Sequence, residues 1–320
     1  MLQTEWGALI GMYLFLGGMS AGAFVTAAAM YLRDKKHHRT IVCVSMWLAV
    51  ACLAFGLVLL LFDLVHPLRG IQMWSAFSHW TSWMTYGAWG VFCAIVFFGL
   101  SAVMATRPVS DWLASKISWY AEHREILRKV CAVGGIVFGT FVAVYSGTLL
   151  MMSKGVPLWD SLLLPCLFTV SAFDTGVALV EIVAVAVGRR EPLEHWAHVA
   201  LERAVVALVI LELAVLAVFF FTLAGGDSQS ATQAAATSSV HMLTSGILAP
   251  YFWGMFVLLG LGFPLVAAVV GLTRKSSPMV AVTLIGAVGA LIGGCELRFL
   301  ILAAGVHADV VGTTVMHLIS

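Results

Sequence analysis

Eight stretches of this chain stay apolar for the full thickness of a lipid bilayer, and this constrains the fold more than any motif does. They run near residues 7–32, 41–65, 83–105, 130–152, 162–187, 197–223, 247–272 and 279–303. A helix needs about 20 apolar residues to cross the hydrocarbon layer, and each stretch meets that length. Closed β-barrels also satisfy backbone groups in lipid, but their strands alternate polar and apolar residues over about 10 positions. These runs do not alternate. Composition agrees: 61% of the 320 residues are hydrophobic and 10% are charged, against about 25% charged in a soluble domain.

The expected fold is therefore an all-α membrane protein with eight transmembrane helices in two four-helix bundles. Short loops favour antiparallel neighbours. The stretch Met152–Asp160 divides the chain into a first bundle over residues 1–152 and a second over 153–305. Residues 306–320 are too few to span again and are expected to form an interfacial tail. Glu5 occupies the place where a signal peptide would carry positive charge, so the opening segment is expected to be a retained first helix.

Lysine and arginine counts give the orientation. Arg33, Lys35, Lys36 and Arg39 follow the first span, and Arg107, Lys116, Arg124, Arg128 and Lys129 follow the third. Arg189 and Arg190 follow the fifth, and Arg274 and Lys275 the seventh, whereas the even loops carry only Arg69 and Lys154. The odd loops are expected to be cytoplasmic, with both termini on the outer, periplasmic side of a prokaryotic inner membrane. The formal charge of +1 comes without a basic cluster of the nucleic-acid-binding kind. The segment from Ala224 to Ser245 is small and polar, and is expected to be a flexible loop.

Metal chemistry is not expected within the chain. Cys43, Cys52, Cys93, Cys131, Cys166 and Cys295 are single cysteines in apolar segments without a C-x-x-C pair, so neither an iron–sulfur cluster nor a zinc site has its ligands. Every histidine lies in or beside a connection, and a haem held between spans needs axial histidines at mid-depth. Any iron–sulfur cluster then belongs to a partner.

Polar chemistry concentrates in two places. The turn from Leu61 to Trp89 sets Asp63, His66, Arg69 and His79 among Trp74, Trp80 and Trp83, a mixture suited to a redox-active or ligand-binding rim. Within the spans lie Asp174, Glu181, Glu202, Arg203, Glu212, Glu296 and Arg298. Each costs about 2.5–3.5 kcal/mol to insert and so requires a reason. Two accounts are open. The acids and arginines form structural pairs between helices, Glu202 with Arg203 and Glu296 with Arg298 among them; or Asp174, Glu181 and Glu212, with Glu296 and Arg298, mark a proton path at successive depths.

Several motifs in order resemble those of the NrfD-like family, the membrane subunits of polysulfide-reductase-type complexes. They are Asp63-Leu64 with Pro67, Ser82-Trp83-Met84, Gly87-Ala88-Trp89, Tyr145-Ser146-Gly147, Pro157-Leu158-Trp159, Leu164-Pro165 with Phe168, Ser171 with Gly176, and Leu297-Arg298-Phe299 with Gly305. The first-helix pattern appears as Tyr13, Phe15, Leu16 and Gly18. The polar contacts that some members carry there are represented only by Gln3, Glu5 and Ser20.

The resemblance implies a membrane anchor without its own cofactor that binds quinone or quinol, menaquinone or ubiquinone, in a cleft of the first bundle. It implies a ferredoxin-like iron–sulfur subunit on the outer face and a molybdopterin catalytic subunit beyond it. Carried over by position, the quinone-binding set is Tyr145, Asp63, His66, Ser82, Trp83 and Gly18. The expected function is electron exchange between the membrane quinone pool and that partner, with proton translocation as an added expectation. The chain is then one subunit of an oxidoreductase and not a complete catalyst. An ion-coupled secondary transporter and a passive membrane anchor are the alternatives.

Overall fold

The computed structural model describes residues 6–33, 38–63, 83–153, 155–188, 193–225, 231–273 and 280–307. Among them the structure is entirely helical apart from short turns. The elements are α1 (Ala8–Arg33), α2 (Arg39–Asp63), α3 (Trp83–Ala105), α4 (Arg107–Lys116), α5 (Ser118–Met151), α6 (Leu163–Val187), α7 (His195–Ala224) and α8 (Ala231–Thr244). A π-helical segment (Tyr251–Gly262) runs directly into α9 (Phe263–Thr273), and α10 (Val280–Ala303) follows. Eight of these helices, counting the π segment with α9, are long and apolar enough to span a bilayer, at the places the sequence indicates.

Helices α1 and α6 form the centre; in each, 67% of the most apolar window is buried. Small residues bring their backbones together. A Cβ on Gly22 would collide with the Ala172 carbonyl, and one on Gly176 with the backbone of Gly22 and Ala23. In lipid such close approach is favoured by dispersion rather than by water expulsion. Helix α2 packs on α1 and α3, and α5 on α1, α3 and α6; α7 packs on α6 and α9, and α10 on α6 and the π segment. Phe24 of α1 stacks on Phe98 of α3, ring centres 3.9 Å apart, and fills the notch left by Gly135 of α5. The outer surface carries large exposed apolar side chains such as Phe221 and Val266, 79% and 62% exposed. For a span facing lipid that is the ordinary arrangement.

At one end of the molecule three distant parts of the chain meet. The Trp6 and Trp159 rings lie edge to face at 5.8 Å, and Trp159 Nε1 donates to the Ile301 carbonyl at 3.0 Å. Gly11 of α1 faces Leu302 and Phe299 of α10. Gly155, with φ +108, allows the α5–α6 turn to lie against His307. The start of α1, the α5–α6 turn and the end of α10 therefore share one rim.

Three segments differ from expectation. The fourth span begins at Ser118 rather than near 130, and α4 precedes it, so the third loop is mostly helical. Pro108 in the first turn starts α4, and the Ser110 and Tyr120 hydroxyls bond it to α5 at 2.9 Å. The polar segment after α7 is also ordered over α8. Its Thr237 and Ser238 hydroxyls bond back to the carbonyls of Gln233 and Ala234, and Gln233 Nε2 donates to Leu223 O at 2.6 Å, which docks α8 on the end of α7. The seventh span is π-helical over its first half, where Gly260 meets the backbone of Gly293. Of the expected tail, residues 308–320 lie outside the described residues.

Candidate functional site

Helices α1, α3 and α5 position a cleft at Tyr145. Tyr13, Leu14 and Gly17 of α1 line it on one side, and Val142, Tyr145, Ser146 and Leu149 of α5 on the other. Those spacings of three and four residues place each set on a single helix face. The Tyr145 ring stacks on Phe141, centres 5.9 Å apart, and covers Gly87 of α3, where a Cβ would overlap the phenol. Its hydroxyl donates to the Trp83 carbonyl at 3.4 Å, a long contact that leaves most of its capacity for a ligand. Two phenols, one hydroxyl and aliphatic walls suit a flat ligand with an oxygen at its edge. The enclosed volume is about 10 Å³, room for one water.

The other residues of the quinone-binding set fall as follows. Asp63 ends α2, half-buried, near Gly7 at the start of α1. Gly56 of α2 packs against Tyr13, so Asp63 lies about 10 Å further toward the rim. Trp83 opens α3 with its indole 55% exposed. Gly18 faces the other way: a Cβ there would lie 3.1 Å from Ala172 Cβ and 3.3 Å from Arg298 Nη2, while its neighbour Gly17 lines the cleft. His66 and Ser82 lie outside the described residues.

A second polar centre lies between α6, α7 and α10. Arg298 is fully buried. Its Nη1 donates to Ser171 Oγ at 2.6 Å and to the Gly294 carbonyl at 2.7 Å, and its Nη2 to the Phe168 carbonyl at 3.2 Å. The guanidinium also lies over the Phe168 ring, 5.2 Å from its centre. Gly18 and Gly294 leave the space it occupies. Asp174 and Glu212, both buried, are its acidic neighbours. Asp174 Oδ1 and both Glu212 carboxylate oxygens lack a hydrogen-bond donor among the described residues. One cation thus faces two incompletely solvated acids.

Two of the expected ion pairs do not form. Arg298 points at α6, and Glu296, two residues earlier on α10, is only half-buried on a different face. Glu202 is buried with His198 Nδ1 3.7 Å from its carboxylate, whereas Arg203 is exposed. Residues one or two apart on a helix do not face each other, and the sequence spacing already contained that signal. Glu181 is buried one turn from Ala178, and borders two spaces. A narrow one runs past Glu202 and Thr283, and a cavity of about 830 Å³ opens beside His195, His198 and Leu193. Sequence reasoning named Glu202 only as a structural partner of Arg203, and did not single out His198 as its neighbour. Among the described residues no three potential metal ligands converge.

Comparison with known proteins agrees with the motifs. The family described as Polysulphide reductase, NrfD matches residues 2–308. The chain is 28% identical over 318 residues to a polysulfide reductase component of Wolinella succinogenes, covering 94% of both sequences. It is 26% identical over 311 residues to an NrfD homologue of Haemophilus influenzae, again over 94% of both. A partial match to a selenate reductase component of Mesobacillus selenatarsenatis is 24% identical over 203 residues, 55% of this sequence and 47% of that one. With eight helices long and apolar enough to span a bilayer and a match over nearly its whole length, this integral membrane protein belongs to the NrfD polysulphide reductase family.

Proposed function

We propose that this chain is the quinone-reactive membrane subunit of a respiratory reductase in the inner membrane of a prokaryote. In this reading it exchanges electrons between the quinone pool and an iron–sulfur subunit docked at the Trp6–Trp159 rim, with a molybdopterin subunit beyond. Relatives named as components of polysulfide and selenate reductases support membership of such a complex. The observation that carries the quinone assignment is the Tyr13–Tyr145 cleft, in which a phenol hydroxyl held only at 3.4 Å faces an apolar slot. Tyr145 would hydrogen-bond a quinone oxygen, and Asp63 toward the rim would take or deliver the proton that accompanies each electron.

Replacing Tyr145 with Phe keeps the ring over Gly87 and removes one hydroxyl. Loss of one such hydrogen bond, about 1.4 kcal/mol, lowers quinol turnover of the purified complex roughly tenfold, with subunit assembly intact. Unchanged turnover in an assembled complex would leave a passive anchor as the better description.

The cavity beside His195 and His198 favours a second activity alongside the first. It gives solvent a way to Glu181, from which Asp174 and Glu212 lie deeper between the helices. Protonatable groups at successive depths support proton translocation coupled to quinol chemistry. Asp174→Asn is expected to abolish charge movement in proteoliposomes while quinol turnover continues. Equal charge movement would remove Asp174 from the path.

A further inference from the structure

The end of α2, α4 and α5 remote from the Trp6–Trp159 rim carries a group of guanidinium ions that neither activity uses. Arg39 opens α2, Arg107 opens α4, and Arg124 and Arg128 lie on the early turns of α5. Arg39 lies within electrostatic range of Arg128, Arg107 and Arg124, and of the acid Asp111. Asp111 is itself engaged, 2.7 Å from Arg124 Nη2. Its charge is therefore already engaged within a group of four guanidinium ions.

The group is built into the fold. Arg128 Nη2 donates to the Met104 carbonyl and, at 3.0 Å, to Ser110 Oγ, which also bonds Tyr120. Trp47 Nε1 donates to Thr106 Oγ1 at 2.9 Å and fixes the α3–α4 corner against α2. Arg39 Nη2, Arg124 Nε and Arg128 Nε are shielded from solvent without a hydrogen-bond acceptor among the described residues. Like charges held this close repel unless an anion joins them. The starts of α2 and α4 add the positive ends of two helix dipoles.

The surroundings indicate where that anion comes from. Trp47, Trp112 and Trp119 are exposed around the arginines, as are Val109, Ile117 and Ile126. Tryptophan beside basic residues at the end of a span marks headgroup level, and basic pockets between spanning helices suit anionic headgroups. Guanidinium groups match phosphate oxygens two at a time. We propose that Arg39, Arg107, Arg124 and Arg128 form a binding site for the phosphodiester headgroup of an anionic phospholipid, with the tryptophans and Ile117 against its acyl chains.

The test uses the complex reconstituted in nanodiscs of phosphatidylcholine, with or without phosphatidylglycerol. Retained lipid is identified by mass spectrometry, and thermal stability is followed in parallel. Phosphatidylglycerol is expected to be enriched about tenfold over its share of the bilayer and to raise the thermal midpoint. Arg39→Gln with Arg107→Gln, which leaves the Arg128–Ser110–Tyr120 anchor in place, is expected to remove both effects. Arg33→Gln, at the Trp196 ring instead, is expected to keep them. Absence of enrichment in the native complex, or its persistence in the double variant, would overturn the site. Inorganic phosphate added to phosphatidylcholine discs is expected to leave the midpoint unchanged. Stabilisation by phosphate equal to that by phosphatidylglycerol would overturn the lipid assignment. If the double variant fails to assemble, enrichment and phosphate addition on the native complex still decide.

Discussion

Arg298 is the most demanding side chain in this molecule, because a cation without water must find all its partners in protein. Three oxygen acceptors on α6 and α10 and the flanking acids Asp174 and Glu212 answer that demand. Arg298→Met removes the cation and leaves the acids uncompensated. It is expected to cost about 3–5 kcal/mol in a reversible denaturant titration. Adding Glu212→Gln to that variant removes one stranded charge and is expected to recover part of the loss; if the two substitutions simply add, the charges are not coupled. The identities of these residues were legible in the sequence as costly ionisable groups within spans. Their partners were not, because partners are chosen by the packing of different helices. The expected pairs of Glu202 with Arg203 and Glu296 with Arg298 failed because residues one or two apart on a helix do not face each other, a signal already present in their spacing.

At the scale of helices, the α1–α6 crossing depends on the absence of side chains. Gly176→Leu would drive a branched side chain into the backbone of Gly22, which cannot rotate away. The expected cost is at least about 3 kcal/mol, read as loss of the monodisperse complex on size exclusion. Gly99, with nothing within 4 Å of its Cβ position, provides the contrast: Gly99→Ala is expected to be neutral or to stabilise by about 0.5–1 kcal/mol. Spanning helices were easy to read because lipid admits few solutions. Helices α4 and α8 were not, since their small and polar residues resemble loop composition, and their order comes from tertiary bonds such as Ser110 with Tyr120 and Gln233 with Leu223. The π-helical segment has no sequence mark of its own. Within it Gly260 lies against the backbone of Gly293 of α10.

For the molecule as a whole, the meeting of Trp6, Trp159 and Ile301 requires that the start of α1, the α5–α6 turn and the end of α10 face the same compartment. Reporter fusions after Thr106 and after Gly188 are expected to be active in the cytoplasm, as the positive residues in those connections direct. Fusions at Gly155 and after His307 are expected to be active only outside. A cytoplasmic signal at Gly155 would reverse the orientation and move the proposed docking rim with it.

The same clasp has a consequence for biogenesis. Trp159 reaches its final setting only when the carbonyl of Ile301 arrives, so the platform beside the tyrosine cleft is incomplete until the eighth span has entered the membrane. A partner docking on this platform, as proposed above, would distinguish a finished subunit from one still being threaded.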